Sequence, residues 1–236
     1  MTNHTPSISV VLPCLFPDTK PIWMMMESCE KFGIVPVLYG MGGVFNGWVD
    51  IKIVRFFEAL KQTVTDLVLY SDARDAFFLR GLPDIIATYG GLGSPPILMG
   101  TQDCYFTDHP DWFDAMPNPP DKVFRYIGLS TFMGQRDALL SAFTTISRYK
   151  GLPQDDPPWW NRFIREGGQV EFDYDCCVFQ NAGLGAWDKY MELRDGQPYN
   201  TVTDTHPCLL HFNNGYTDPV TGKWYIMKDA WEGVMR

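Results

Sequence analysis

The sequence predicts an α/β fold in which one mixed, mostly parallel sheet is flanked by helices. The first observation is a strand–helix–strand beginning, formed by the apolar run Ile8–Leu12, a helix from Pro21 to Phe32 and a second apolar run, Ile34–Tyr39. The second is the run Leu67–Tyr70, which is too short for a buried helix and rich in strand-forming residues. The third is composition, because 45% hydrophobic and 15% aromatic residues are typical of a globular domain with a large core.

The other elements follow from periodicity and from the residues at their ends. Pro36 predicts that the second strand is short or lies at an edge. An amphipathic helix is predicted from Asp50 to Val64, with Ile53, Phe57, Leu60 and Val64 on one face. The further predicted elements are a helix Pro83–Tyr89, a strand Pro95–Gly100, a strand and turn Phe124–Gly134, a helix Asp137–Tyr149 with Leu139, Leu140, Phe143 and Ile146 inward, a helix Asn161–Glu166, a strand pair or a strand with a turn in Val170–Phe179, and a strand closed by His211.

Composition and the chain start exclude several classes of protein. A net charge of −9 without a basic run argues against general binding to a phosphate backbone. The six cysteines lack Cys-x-x-Cys spacing, so a structural zinc site is not expected. Residues 1–6 lack the features of a signal peptide, and no apolar run approaches the roughly 20 residues of a membrane span. We therefore expect a single domain over residues 1–236 in a soluble, cytoplasmic protein without a membrane partner.

Two carboxylates follow the Leu67–Tyr70 strand. Asp72 and Asp75 lie three residues apart between apolar segments, where unpaired charges are costly to bury. A divalent cation explains them, because hard cations take oxygen ligands and tolerate a site that stays open to phosphates. The alternative is that Asp72 caps a turn while Asp75 pairs with Arg74 or Arg80.

His211 closes a second apolar strand and is followed by the polar turn 213–215. A lone histidine is more often a structural residue. In combination with two carboxylates at another strand end, it becomes a candidate third metal ligand.

Two features between residues 40 and 52 point to ligand binding. The Gly-rich loop 40–48 follows the second strand, where its glycines would let the backbone approach a ligand and Phe45 or Trp48 would cover a flat ring; a flexible connection is the alternative. Lys52 lies in the first turn of a predicted helix, where a cation opposes the helix dipole. Anion binding or ordinary surface solvation would explain it.

With Asp72, Asp75 and His211 in place, the chain resembles metal-dependent glycosyltransferases of the GT-A type. It resembles more closely the glycosyltransferase domain of procollagen lysyl hydroxylases and the related collagen glycosyltransferases. The resemblance runs from about Ile8 to Gly215, with its landmarks in the same order. These landmarks are the helix with Lys52, the Asp-x-x-Asp motif Asp72–Asp75, the strand end Met99–Asp103, the segment Phe132–Gly134, the acidic pair Asp155–Asp156, the segment Asp173–Asn181 and the turn His211–Gly215.

The resemblance implies a GT-A, Rossmann-like fold that binds a nucleotide sugar, and it implies roles for individual residues. Asp72, Asp75 and His211 would hold Mn²⁺, or Mg²⁺, at the diphosphate of a UDP-sugar donor. The implied nucleotide-sugar contacts are Gly40, Phe45, Lys52, Ser71, Arg74, Asp103 and Gly215, and the implied sugar or acceptor contacts are Gln180, Asn181 and Asn213. Asp155 and Asp156 would be the catalytic carboxylates, either of them a candidate base for an inverting reaction. A retaining reaction on this fold needs no obvious base, and the sequence does not distinguish the two.

The chain departs from the family pattern at three places. Arg74 replaces an aromatic residue that stacks on uracil, and a guanidinium can also stack on a base or contact a phosphate. Gly128–Thr131 replaces Asn-Ser-Gly-Gly, and Pro157 replaces the last residue of Asp-Asp-Gln. The last two changes fall on the sugar and acceptor side.

The expected activity is transfer of a hexose, glucose or galactose, from a UDP-sugar to a hydroxyl acceptor. The resemblance implies a hydroxylysine-like protein acceptor. A hydroxymethylated pyrimidine in DNA, as in phage-type transferases, would be favoured instead if six basic residues clustered beside the pocket: Arg125, Arg136, Arg148, Lys150, Arg162 and Arg165. A protein without this activity would be a nucleotide-sugar-binding module without turnover or, last, a metal-dependent phosphohydrolase, which would need more clustered ligands.

Overall fold

The computed structural model describes residues 5–104, 108–182, 189–212, 231–233 and 235. Strands and helices are numbered in chain order. The central sheet has the spatial order β2 (Val37–Tyr39), β1 (Ile8–Pro13), β3 (Leu67–Ser71), β6 (Tyr126–Gln135), β5 (Ile97–Gln102) and β7 (Glu171–Asp173). Strand β6 runs antiparallel to β3 and β5, and the remaining pairs are parallel. The predicted mixed, mostly parallel sheet is confirmed, and β2 lies at its edge as Pro36 predicts.

A second sheet, which the sequence pattern did not predict, covers part of the first. It consists of β4 (Ala76–Phe78), β11 (Leu209–Phe212) and β8 (Phe179–Ala182), with β11 in the middle. Strands β9 (Met191–Arg194) and β10 (Gln197–Asn200) form a separate antiparallel hairpin. Strand β11 runs antiparallel to β4 and parallel to β8, so it joins segments that are far apart in the chain.

Of the two alternatives predicted for Val170–Phe179, a strand pair and a strand with a turn, the structure has the second: β7 is followed by a turn at 174–175, and β8, which begins at Phe179, belongs to the other sheet. The Asp173 carboxylate accepts hydrogen bonds from the backbone N–H groups of Cys177, Val178 and Phe179, each at 2.8 Å. These bonds provide acceptors for the backbone N–H groups of the segment that leads the chain from one sheet to the other.

The helices flank the sheet as expected, with shifted bounds. They are α1 (Trp23–Lys31), α2 (Phe56–Gln62), α3 (Leu82–Gly91), α4 (Arg136–Ile146) and α5 (Pro157–Arg165), with 3₁₀ turns at Lys20–Ile22 and Pro110–Phe113. Helix α5 begins four residues before the predicted Asn161, because prolines occupy its first turn, where a missing N–H costs nothing. No helix of the described residues is long and apolar enough to cross a membrane.

The predicted helix Asp50–Val64 is instead two segments. Residues Val49–Arg55 form wide π-type turns, in which the N–H of Phe56 bonds to the carbonyl of Ile51, and α2 follows. The wider turns rotate the later residues, so Phe56 faces the core in place of the predicted Phe57, which is half-buried. Val64 lies beyond the helix and is 93% exposed, so its predicted inward position is wrong.

Apolar side chains fill both faces of the central sheet. On one face α2, α4 and α5 pack around Phe56, whose ring centroid lies 4.9 Å from that of Phe143 and 5.2 Å from those of Tyr70 and Phe132. On the other face lie α1, α3 and the second sheet. Of the four α4 residues predicted inward, Leu140 is only half-buried. The core therefore fixes α2 against β3, the strand that leads to Asp72.

Residues Phe124–Gly134 do not contain the predicted turn. Residues 126–134 belong to the single strand β6, which carries a bulge: Met99 of β5 lies opposite Phe132, but the next residue, Gly100, lies opposite Gly128. The extra residues, 129–131, therefore leave the ladder with β5. Asn181 fills the space beside Gly100 and Gly128, where a Cβ on either glycine would overlap it.

Candidate active site

A cavity of about 210 Å³ lies where β3 and β5 end, beside the bulge of β6. Ligands of open α/β sheets bind at the carboxyl ends of the strands, so this is the expected position of a binding site. The ionisable residues of the lining are Lys52, Asp72, Asp75, Asp155, Asp156 and His211. Its other side chains include Trp48, Gln102, Phe113, Ile127, Leu129 and Ser130.

Asp72 is held by its neighbours at the end of β3. Its backbone N–H donates to the carbonyl of Ser130 in the bulge at 2.8 Å, and the Tyr70 hydroxyl donates to Asp72 Oδ1 at 2.5 Å. Burial, and then the Asp72 carboxylate, raise the pKa of Tyr70 well above its ordinary value, so this phenol remains a donor. Asp72 Oδ1 is thus engaged, and Oδ2 is the atom closest to Lys52 and His211.

The second sheet brings His211 to the aspartates. In the β4–β11 pair His211 lies opposite Ala76, and the N–H of Phe212 donates to the carbonyl of Asp75 at 2.7 Å. His211 Nε2 consequently lies 3.3 Å from Asp75 Oδ1 and 3.9 Å from Asp72 Oδ2. The three predicted metal ligands therefore lie together, with the Asp75 carboxylate in contact with His211.

Lys52 joins this group from the π-type segment. Its ammonium lies 3.1 Å from Asp72 Oδ2 and 3.6 Å from Asp156 Oδ2, and 4.8 Å from the centroid of the Trp48 ring. Tyr39 holds the segment, because its hydroxyl donates to the carbonyl of Ile51 at 3.1 Å. Lys52 is only 6% exposed, so surface solvation does not explain it.

Charges of opposite sign shift the pKa values in this group. Burial lowers the pKa of Lys52, but Asp156 and Asp72 outweigh burial and raise it above the ordinary value. Burial likewise raises the pKa of Asp75, but His211 and then Lys52 more than offset this and hold it below 3.8. The charged forms of Lys52 and Asp75 are thus both favoured.

The donor set fits a hard divalent cation such as Mn²⁺. Adjacent ligands of an octahedral ion with bonds of about 2.2 Å are roughly 3.1 Å apart, so the 3.3 Å between His211 and Asp75 suits a shared ion. The 3.9 Å from His211 to Asp72 is longer, and among the described residues no group of three or more His, Cys, Asp or Glu side chains is arranged so that it could hold a metal ion. The buried Nδ1 of His211 has no hydrogen-bond partner among the described residues. A metal-binding histidine normally donates its other ring N–H to a carboxylate or a carbonyl, and no described residue supplies that acceptor here.

Asp155 and Asp156 precede α5 and complete the lining. The backbone N–H of Asp156 donates to Asp155 Oδ1 at 2.9 Å. Asp156 Oδ2 is buried without a hydrogen-bond partner among the described residues, apart from the ion pair with Lys52. Burial raises the pKa of Asp156 to about 7, although Lys52 opposes this. A carboxyl group with this pKa can exchange a proton near neutral pH.

This raised pKa predicts a pH dependence of stability in the metal-free protein. Between the ordinary pKa of 3.8 and the folded value of about 7, the folded state binds more protons than the unfolded state. The contribution is complete below the lower value and is lost as pH rises towards the higher one, at up to about 1.4 kcal/mol per pH unit. Urea unfolding of wild type and Asp156→Asn from pH 4.5 to 7.5 would measure it; equal slopes would contradict the prediction.

Several residues that the resemblance implies lie away from the cavity. Gln180 and Asn181 are fully buried in β8, where Gln180 Oε1 accepts from Asn200 at 2.6 Å and Asn181 donates to the Thr101 carbonyl at 3.2 Å. Ser71 is also buried, and its hydroxyl donates to the carbonyl of Asp72 at 2.8 Å. These three side chains support the strands around the cavity and are not part of its lining.

Four more implied contacts are also absent from the lining: Gly40, Phe45, Arg74 and Asp103. Phe45 is exposed and packs edge-on against Trp48 with centroids 5.2 Å apart, and Trp48 is the ring that lines the cavity. Arg74 is exposed, whereas Asp103 Oδ1 is buried without a hydrogen-bond partner among the described residues. Asn213 and Gly215 lie outside the described residues.

The sequence pattern missed Tyr70 and the bulge residue Ser130. Tyr70 resembles an ordinary apolar strand residue in the sequence, since nothing local shows that its hydroxyl reaches Asp72. Ser130 is placed by the pairing of Ser71 with Thr131 across β3 and β6, which depends on the register of the two strands.

Comparison with known proteins shows the fold. No protein-family model matches this chain, and no curated protein matches it. A glycosyltransferase involved in the glycosylation of the major capsid of PBCV-1 has a similar structure, with a TM-score of 0.53 and 13% identity, covering 96% of this chain and 100% of that chain. The structure of a 4-diphosphocytidyl-2C-methyl-D-erythritol synthase from Anaerococcus prevotii gives a TM-score of 0.42 and 11% identity, covering 72% of this chain and 89% of that chain.

Neither neighbour is described in terms of collagen, so the likeness to collagen glycosyltransferases stays a prediction from the motifs. The match to the first neighbour covers 96% of this chain, including the mixed sheet and its flanking helices. The chain has a GT-A-type glycosyltransferase fold.

Proposed function

We propose that this protein is a metal-dependent glycosyltransferase that moves a hexose, glucose or galactose, from a UDP-sugar to a hydroxyl acceptor. One observation carries the proposal. Asp72, Asp75, His211 and Lys52, which come from three separate parts of the chain, converge on one cavity at the carboxyl ends of the central strands. The likeness in fold to a glycosyltransferase supports it.

The residues of the cavity divide into three groups by the part of the donor that each would contact. Asp72, Asp75 and His211 would hold Mn²⁺ or Mg²⁺, which supplies Lewis-acid stabilisation of the charge that develops on the leaving UDP. Lys52 would contact a phosphate oxygen, because it is a buried cation beside the predicted ligands. Trp48 presents an apolar ring surface against which a base or a sugar face can pack.

His211 lies beside Asp72, Asp72 contacts Lys52, and Lys52 contacts Asp156. Asp156 and its neighbour Asp155 are thus separated from His211 by Lys52 in this series of contacts, and the sugar and the acceptor would bind beside them. In an inverting reaction Asp156 would be the more suitable base of the two, because burial raises its pKa to about 7. Asp155 would then orient it through the hydrogen bond to its backbone N–H.

The acceptor is proposed to be a hydroxyl group on a protein or a small molecule. A DNA acceptor would require positive charge beside the cavity, and none of the six basic residues that would favour it lines the cavity. Arg136, Arg162 and Arg165 form ion pairs with acidic residues instead.

UDP release from a panel of UDP-sugars, measured with Mn²⁺ and with chelator, tests the proposal. Many transferases hydrolyse their donor slowly, so the acceptor need not be known. We expect metal-dependent release from UDP-glucose or UDP-galactose, followed by an acceptor screen of hydroxylated peptides against hydroxymethylated DNA. If no UDP-sugar binds or turns over with metal present, the transferase proposal fails.

A further inference from the structure

One oxygen of the candidate metal site faces two groups. Asp72 Oδ2 lies 3.9 Å from His211 Nε2, which approaches as a predicted co-ligand, and 3.1 Å from the ammonium of Lys52. The Lys52 and Asp72 side chains are 7% and 16% exposed, so water screens this contact only weakly. The chain thus supplies its own cation to the carboxylate that a metal ion would use.

Two cations cannot share this oxygen without strong repulsion. A divalent ion at Asp72, Asp75 and His211 would lie within a few ångströms of the Lys52 ammonium, in a site of low effective dielectric constant. The lysine therefore opposes binding of a free ion, although the aspartates and the histidine provide suitable ligands.

The structure also provides another place for the lysine. Asp156 Oδ2 lies 3.6 Å from the ammonium and has no hydrogen-bond partner among the described residues. The Trp48 ring, 4.8 Å away, offers a second favourable contact for a cation. Lys52 can therefore move away from Asp72 and still pair with Asp156 in the same cavity. A diphosphate that enters with the metal would add negatively charged oxygens with which the Lys52 ammonium can pair.

We propose that Lys52 is a built-in counter-ion that makes divalent-metal binding conditional on the nucleotide diphosphate. The inference rests on the proposed function and deepens it by setting the order of binding. Free Mn²⁺ binds weakly because the Lys52 ammonium pairs with Asp72. Mn²⁺ binds tightly once the diphosphate pairs with Lys52 instead. The site would thereby load metal together with nucleotide.

Binding of Mn²⁺ itself, followed by the loss of its free-ion EPR signal, tests this without any turnover. For Lys52→Met we expect Mn²⁺ alone to bind at least about tenfold more tightly than to wild type, because the competing charge is gone. Lys52→Arg keeps the charge and should bind Mn²⁺ as weakly as wild type. Lys61→Met removes an exposed lysine from the following helix, where it pairs with Glu58, and should change nothing.

Three outcomes would overturn the inference. Equal affinity of Lys52→Met and wild type for Mn²⁺ alone would show that the lysine does not compete. Tight binding to Lys52→Arg as well would assign the effect to shape instead of charge. If Lys52→Met does not fold, Lys52→Gln takes its place, and equal affinity of Lys52→Gln and wild type for Mn²⁺ alone would overturn the inference in the same way.

These results separate the inference from the proposed function. Tighter Mn²⁺ binding by Lys52→Met without turnover of any UDP-sugar would support the counter-ion role of Lys52 and contradict the proposed transferase activity. Turnover by wild type with unchanged Mn²⁺ binding in Lys52→Met would do the reverse.

Discussion

Asp75→Asn is expected to reduce Mn²⁺-dependent UDP release by at least about 100-fold, since loss of an outer-shell partner alone typically costs 10- to 100-fold. Asparagine keeps an oxygen that can accept a hydrogen bond from His211, so the β4–β11 pairing and the fold should survive. It removes the negative charge that His211 and Lys52 hold ionised. Donor hydrolysis at saturating UDP-sugar, with Mn²⁺ titrated for each protein, measures the loss.

The matched control is Asp84→Asn, because Asp84 is an exposed carboxylate in the first turn of α3. It should retain wild-type activity. Restoration of Asp75→Asn activity by millimolar Mn²⁺ would indicate weakened metal binding, as proposed. Activity within threefold of wild type at limiting Mn²⁺ would show that Asp75 is not a ligand.

Phe56→Ala is expected to lower the free energy of unfolding by about 3–5 kcal/mol, the usual range for a buried phenylalanine. Phe56 is fully buried, and its ring packs against Tyr70 of β3, Phe132 of β6 and Phe143 of α4. Its removal leaves a cavity between the helix that follows Lys52 and the strand that leads to Asp72. Urea unfolding followed by tryptophan fluorescence measures the change.

The control for Phe56 is Val64→Ala, because Val64 lies just beyond the same helix and is 93% exposed. It should change the free energy of unfolding by less than about 0.5 kcal/mol. A loss below about 1 kcal/mol for Phe56→Ala would show that the surrounding rings collapse into the space.

Local patterns in the sequence were enough to place the main strands and helices. The apolar runs predicted β1, β3 and β5 because a buried strand needs a continuous apolar segment whatever its partners are. The same reasoning placed Asp72 and Asp75 at a strand end and Lys52 on the preceding helix. It failed for the face of that helix, since a π-type turn changes the period without leaving a mark in the hydrophobic pattern.

The assembly of the site depends on contacts between segments that are distant in the chain. His211 reaches Asp75 because β11 pairs with β4, and Ser130 reaches Asp72 because a bulge in β6 is accommodated beside Gly100 and Asn181. Strand partners and register are chosen by hydrogen bonding and packing over the whole molecule, so no local period encodes them. The residue types and their spacing could thus be read from the chain itself, whereas the distances that turn them into a candidate site arise only when the two sheets pack together.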